Sequence, residues 1–289
     1  MKLALPAVLI AALLVPASSA SAAILAGRTG TPIASQFSLT GVKLAAFSVS
    51  SPIVDVATGD VNGDGVDDLV FEGAQQVVVR DGKTNATLRT IQLGRGFGAG
   101  GIDVGDITGD GRGDIVLADG SVRVYDGRNG ALVRTFAPYG ADYAGTVAVA
   151  VGDLEGDARA EIATAAGTHV KVFSATGTTL RSFFAYGPSP AGGVDVAAGD
   201  ATGDGHADLV TVPRAGAPAY VRVFSGSTLV RSFLAGDAGS LGGATVASGD
   251  GSVTVASGST IRVVDGATLT TKAFFMPFGP SAAHIAIAT

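Results

Sequence analysis

Apolar residues recur at every second position in short stretches, as at Val147, Val149 and Val151 and at Val194, Val196 and Ala198. Successive side chains of a strand point to opposite faces, so this spacing predicts β-strands. A continuous apolar run follows each such stretch after an acidic segment: Leu69-Val70-Phe71, Ile115-Val116-Leu117 or Leu209-Val210-Thr211. These runs read as buried strands. A glycine turn then leads to a third strand, Val122-Arg123-Val124-Tyr125 or Val221-Arg222-Val223-Phe224, and a second one (Asp126-Gly127-Arg128-Asn129-Gly130) to a fourth, Ala131 through Phe136.

The unit repeats. Aspartates that open its acidic segment stand at 60, 106, 153, 200 and 250, in steps of 46, 47, 47 and 50 residues. Four strands at this period predict the blade of a β-propeller. Ala and Val crowd the first strand while Phe136, Phe183, Phe184, Phe274 and Phe275 gather at the ends of fourth strands, a size gradient that suits packing around an axis. Ile285 to Thr289 matches a first strand, and Ile24 to Gly30 resembles a third strand with its turn. Joined, the two segments would make a sixth, incomplete blade and remove an exposed sheet edge. The expectation is an all-β, six-bladed propeller of four-stranded antiparallel blades, one closed by N- and C-terminal strands; five blades result if the end segments do not pair.

The acidic segment places oxygen ligands at alternate positions. Positions 1, 3 and 5 carry Asp60/Asn62/Asp64, Asp106/Thr108/Asp110 and Asp200/Thr202/Asp204; position 9 is Asp68, Asp114 or Asp208. Position 7, able to contribute a backbone carbonyl, is Val66, Arg112 or His206, and position 6 is a glycine that permits the bend. Hard divalent cations take several such oxygens from one tight turn, so Ca²⁺ is expected at about three sites. An EF-hand would carry glutamate at position 12, where this chain has Phe71, Leu117 or Thr211. The loop therefore links strand to strand. In the third copy Asp153, Glu155, Asp157, Arg159 and Glu161 hold the ligand positions and Ala158 replaces the glycine; weak binding or none is expected. At Asp250-Gly251 the loop has shrunk to a hairpin turn.

Residues 1–22 combine Lys2, an apolar run from Leu3 to Val15 and Ala20-Ser21-Ala22, the pattern of a secretory signal peptide. Residues 23–289 then form one domain, expected to be secreted or periplasmic. With no cysteine, neither a disulfide nor a lipidated cysteine is possible. The net charge of -6 comes mostly from the acidic loops, which bound calcium would neutralise. No basic cluster points to nucleic acid, and no second long apolar segment to a membrane span. A monomer is expected.

The repeat resembles the FG-GAP, or VCBS, repeat of bacterial secreted proteins and integrin alpha-chain propellers. Tyr186-Gly187-Pro188, Phe278-Gly279-Pro280 and Phe97-Gly98 look like its aromatic-glycine element, and Gly59 through Asp68 is similar to its cation loop. The likeness spans residues 24 to 289. It implies a calcium-bearing propeller in which the ion is architectural, and leaves the biological role open among adhesion, lectin and enzyme-accessory modules.

Two motifs read as coincidences. Arg112-Gly113-Asp114 spells the tripeptide integrins recognise, but Asp114 is already a loop ligand, and Asn85-Ala86-Thr87 is a sequon relevant only in a eukaryotic secretory route. The histidines, His169, His206 and His284, are scattered over different repeats, and no nucleophile-base set or phosphate loop stands out, so no enzyme is expected. Strand order puts the acidic loops on one face. The opposite face would gather Phe97, Tyr139, Tyr143, Tyr186, Arg214, Tyr220 and Phe278, residue types enriched at binding hot spots. Tyr139, Tyr143, Arg214 and Tyr220 are the expected contacts for a protein or glycan partner, the other aromatics being equally suited to packing between blades. A binding or adhesion module is the leading expectation, a calcium-dependent lectin or carbohydrate-binding accessory protein the next, a ligandless scaffold the third.

Overall fold

The structure, a computed structural model, describes residues 23–94, 100–187, 190, 192–280 and 285–289. The signal-peptide segment, Phe97-Gly98, Pro188 and His284 lie outside the described residues.

Six four-stranded antiparallel sheets form the molecule, each a meander whose strands lie side by side in chain order. Blade one comprises Ile53–Gly59, Asp68–Gly73, Gln76–Arg80 and Thr87–Gln92; blades two to five begin at Gly101–Gly105, Ala148–Gly152, Val194–Gly199 and Thr245–Gly249. Blade six joins Ile285–Ala288 to Ala23–Arg28, Ile33–Ser38 and Lys43–Ser48. First strands touch in sequence around the axis, and Ile285–Ala288 closes the ring against Ile53–Gly59.

One assignment differs from the sequence reading. Ile24 to Arg28 lies in a second strand, pairing Ile285–Ala288 on one side and Ile33–Ser38 on the other, so blade six is complete. Second strands are covered on both faces and read as continuous apolar runs; Ile24, Leu25 and Ala26 are fully buried. The glycine turn after Arg28 does not distinguish the strands, because turns follow second and third strands alike.

Burial falls with distance from the axis: Asp68–Gly73 is buried throughout, whereas Thr179–Phe184 is largely exposed. The hydrophobic core is divided into six clusters, each shared by two neighbouring blades. Fourth-strand aromatics seal three of these seams. Phe136 meets Phe173, Phe183 meets Phe224 and Phe275 meets Phe37 of the following blade, at centroid separations of 5.0, 5.1 and 5.0 Å. Near the axis, space runs out at the ends of the first strands. A Cβ on Gly59 would lie 2.5 Å from Val104 Cγ1 of the next blade, and one on Gly105 would lie 2.4 Å from Val151 Cγ1.

Candidate functional site

Each acidic loop is organised by its first aspartate. The Asp60 carboxylate accepts hydrogen bonds from the backbone N–H groups of Gly63, Asp64 and Gly65 at 2.6, 3.0 and 2.7 Å, and Asp106, Asp200 and Asp153 repeat the arrangement. Positions 4 and 6 both have positive φ: Gly63 and Gly65 at 79° and 81°, Gly203 and Gly205 at 77° and 86°. The position-4 glycine was legible as a constant of the repeat, yet only position 6 was singled out. Position 2 is an apolar peg, Val61, Ile107, Leu154 or Ala201, buried in an inter-blade core.

The ninth position lies beneath the loop. Asp68 accepts from Val61 N, Asn62 N and Gly82 N at 3.0, 3.1 and 3.0 Å, and Asp114 accepts from Ile107 N, Thr108 N and Gly127 N at 2.9, 2.7 and 2.9 Å. Gly82 is glycine because the turn before the fourth strand presses on the loop; a Cβ there would lie 2.0 Å from the Asp67 carbonyl oxygen. Burial pushes the carboxyls of Asp68, Asp114, Asp208 and Glu161 up from their ordinary acidity, against the lowering pull of the donors on each.

Whether a cation fits can be asked of the donors. Asn62 Nδ2 donates to Asp68 Oδ1 and Asp81 Oδ2, which leaves Asn62 Oδ1 as a buried acceptor with no hydrogen-bond partner. An unpartnered oxygen at position 3 suits a hard cation. The backbone shape suits one as well. The carboxylates are otherwise engaged: Asp64 pairs with Lys83 at 3.1 Å and accepts from Val66 N at 2.9 Å. Asp110, the expected position-5 ligand of the second loop, is exposed and accepts from Arg112 N at 3.1 Å, as Asp204 accepts from His206 N at 3.0 Å in the fourth. Among the described residues no three Asp, Glu or His side chains converge closely enough to hold an ion between them. The sequence reading grouped Asp106, Thr108, Asp110, the Arg112 carbonyl and Asp114 as one ligand set, and likewise positions 60, 62, 64, 66 and 68 and positions 200, 202, 204, 206 and 208; in none of them do the carboxylates alone complete a site. The reason is local, because positions 1 and 5 spend oxygens on N–H groups of their own turn while position 9 holds the loop from below. Asn62 Oδ1 with the Asp60 and Asp64 carboxylates would hold calcium, once Asp64 turned from Lys83, and Asp106 and Asp110 are the corresponding carboxylates of the second loop. At position 3 of the fourth loop, Thr202 Oγ1 donates to Asp208 at 3.0 Å and keeps lone pairs free.

The third loop retains the backbone shape despite its substitution, since Ala158 is forced to φ 66° where its counterparts are glycines. Its Glu155 is bound by Arg181 at 2.7 Å, while Glu161 takes the position-9 contacts with Leu154 N and Glu155 N. In blade five, Asp250 and Gly251 form a two-residue turn with φ of 50° and 64°. Arg112, at position 7 of the second loop, donates through Nη1 to the Asn62 carbonyl of the first. With Asp114 buried as well, the Arg-Gly-Asp tripeptide is tied up within the fold. His206 is exposed, its N–H on Asp204.

On the opposite face the four expected contacts separate. Tyr139 is a blade-to-blade latch: its hydroxyl lies 3.0 Å from the Thr164 carbonyl oxygen and 2.8 Å from that of His169, in the next blade. Tyr186 does the same toward Thr211 and Tyr220. Burial pushes both phenols up to about 12. Tyr139 is therefore a packing residue, not a free contact. Tyr220 is exposed at 47%, whereas Arg214 turns toward the axis and pairs with Asp195 at 2.8 Å. Tyr143 and Arg214 nonetheless meet, lining a groove of about 220 Å³ between blades three and four with Gly192 and Gly193; Tyr220 does not line it.

Arg214 also borders a feature the sequence reading missed, an axial cavity of about 620 Å³ flanked by Asp55, Asp103 and Asp195 of three first strands. Burial, then the charge of Asp195, pushes Asp55 up to about 7; burial does the same for Asp103. Burial works against the Arg214 charge too, but Asp195, Asp55 and Glu72 outweigh it and hold the guanidinium ionised. The signal was available: these are acidic residues in strands otherwise built from small and apolar ones.

Radial meanders with acidic loops between first and second strands define a six-bladed β-propeller. Residues 106–164 match the FG-GAP-like repeat family model, and the six closed blades around that match are consistent with an FG-GAP repeat propeller. No curated protein matches it. Among solved structures it is similar to a chain of a nidogen/laminin complex, at TM-score 0.63 and 11% identity over 92% of this chain and 97% of that one. A Bacteroides caccae protein of unknown function matches at TM-score 0.59 and 12% identity, over 92% and 98%. A lectin of Agrocybe aegerita that recognises non-reducing terminal N-acetylglucosamine matches at 0.50 and 18%, over 89% and 77%. Likeness at these identities concerns the fold. Among the described residues no helix is long and apolar enough to cross a membrane.

Proposed function

We propose that this chain is an exported, calcium-braced binding module for a protein or glycan, without catalytic activity. The observation that carries the reading is the groove lined by Tyr143 and Arg214, which sets an aromatic residue beside an arginine held in place by Asp195 at one blade seam on the face away from the acidic loops. An aromatic face beside a planar fork of donors suits sugars and polar protein surfaces alike. Propeller neighbours from a nidogen/laminin complex and from a lectin support a binding role. Calcium would act at a distance, by stiffening the acidic loops, for which the unpartnered Asn62 oxygen is the support.

A glycan array and a surface-protein pull-down, each run with and without chelator, test this. Binding that Arg214→Ala and Tyr143→Ala weaken at least tenfold supports the reading. Binding untouched by both changes would place the contact surface elsewhere.

A further inference from the structure

Among the described residues, the charges around the axial cavity do not balance. Asp195 has Arg214 at 2.8 Å and accepts from Val246 N of the next blade. Asp55 accepts from Val56 N and Ile102 N, and Asp103 from Val104 N and Val151 N; among the described residues neither has a salt-bridge partner, the Arg214 charge reaching Asp55 only at longer range. Directly across the strand pair from Asp55 stands Glu72, 1% exposed, with Oε2 lacking any hydrogen-bond partner. Asp119 adds its charge to the field on Glu72 from the neighbouring blade. Asp119 has its own partner in Arg123, so among the described residues Arg214 alone faces the four carboxyls of Asp55, Asp103, Asp195 and Glu72.

Holding the ring together does not require this charge. At the place in blade five equivalent to Asp55 and Asp195, neutral Thr245 Oγ1 donates to the Ile285 carbonyl at 3.0 Å and staples the same kind of seam. The first strand of blade three, Ala148–Gly152, carries no acidic residue of its own and still packs against the first strand of blade four. Burying unpaired carboxyls is costly, so their presence around a cavity points to an outside partner.

We propose that the axial cavity binds an alkylammonium group among Asp55, Asp103 and Asp195. A bare metal ion fits less well, because it needs at least three oxygens converging on one point and no three of the described carboxyls do so, whereas an ammonium is neutralised and hydrogen-bonded by two, and about 620 Å³ accommodates its organic part. An ammonium brings one positive charge and three N–H donors to Asp55 and Asp103, whose carboxyls now accept only from backbone N–H groups. The cation can be a free amine or the lysine side chain of a partner. The inference stands apart from the proposed calcium loops and outer groove and does not rely on either.

The test is calorimetry on the purified chain with 1,4-diaminobutane, a lysine-containing tetrapeptide, 1,4-butanediol and calcium chloride as separate titrants. Saturable binding of the diamine or of the peptide is expected, none of the diol, and at least tenfold weakening in the double variant Asp55→Asn, Asp103→Asn. Heats in two buffers of different ionisation enthalpy should reveal proton release at pH 7, as binding ionises carboxyls that burial keeps partly protonated. Affinity should rise from pH 6 to 8. If the double variant fails to fold, the diol comparison and the proton release on the unaltered chain still decide. No saturable amine binding, equal binding of the diol, displacement of the amine by calcium, or full binding by a folded double variant would each overturn the proposal.

Discussion

The Tyr186 hydroxyl lies 3.0 Å from the carbonyl oxygen of Thr211 in the following blade, and the Thr211 hydroxyl in turn donates to it across 3.3 Å. Arg222 rests on the face of the same ring at 4.4 Å. One residue thereby fastens the end of blade three to the second and third strands of blade four. Tyr186→Phe keeps the ring and strands these partners in a buried place, which should cost about 1–3 kcal/mol. Tyr139→Phe, at a more exposed latch, should cost less. Urea unfolding of both variants checks the order; equal and negligible losses would show that the hydroxyls contribute nothing.

Lys83 stands where a cation would compete for Asp64. Its Nζ also donates to the Asp64 carbonyl oxygen, at 2.9 Å, so it partly serves as an internal counter-ion for the first loop. Lys83→Met should tighten calcium binding at that loop, whereas Asp64→Ala and Asp204→Ala should each remove about one ion from the stoichiometry. Unmodified protein should bind in the weak extracellular range, roughly 10⁻⁴ to 10⁻³ M, and lose melting temperature on chelation. Equilibrium dialysis with thermal melting measures all of this. A chain that binds no calcium and melts identically with chelator would remove the brace from the proposed function.

Ala158 occupies a left-handed backbone conformation that its glycine counterparts reach freely. A side chain there costs roughly 1–2 kcal/mol and glycine's added unfolded-state entropy roughly 0.5–1 kcal/mol, so Ala158→Gly should stabilise the protein by about 0.5–1 kcal/mol. It should not create a calcium site, since Glu155 remains held by Arg181. Gly65→Ala, the reverse change in the first loop, should destabilise by a similar amount. Melting curves for the pair decide it, and a loss on Ala158→Gly would mean that the alanine methyl makes a contact worth more than the strain.

The fold was legible because its signals are local and repeated. Alternation in Val147, Val149 and Val151, the continuous run at Leu69 to Phe71 and the period of the leading aspartates each report a constraint that acts within one blade. The acidic loops were legible for the same reason, their ligand spacing being set by one tight turn. What lay beyond reach depends on how blades face one another. Tyr139 and Arg214 could both be placed on the right end of the molecule, but whether a side chain at that end leans outward, into a seam or toward the axis is decided by the adjacent blade. The carboxyls of Asp55, Asp103 and Asp195 gather because three strands far apart in sequence share an axis, and no window of sequence contains them together. Ile24 to Arg28 was misplaced by one strand because flanking turns resemble one another, while burial on both faces separates a second strand from a third.

Those axial carboxyls fix the direction in which stability should vary with pH. Burial first, then Asp55 and Asp119, raises Glu72 to about 9, and burial raises Asp55 and Asp103 to about 7. An unfolded chain releases these protons near pH 4, so between that point and each raised value the folded state binds more protons, and stability falls as pH climbs. The contribution is fully present below about pH 4 and is lost through about 7 for the aspartates and about 9 for Glu72. Asp81 and Asp265, held low by donors from Thr84 and Thr268, have finished titrating well below this window. Raised carboxyls beneath the acidic loops push the same way, so the measurement belongs in chelator. Urea unfolding from pH 5 to 9 should show a decline of at most about 1 kcal/mol per pH unit for each group. Glu72→Gln should flatten the upper part of the curve and Asp103→Asn the lower. Stability that stayed level or rose across the range would mean the carboxyls are ionised and compensated in the folded chain, and the charge deficit around the axis would disappear with them.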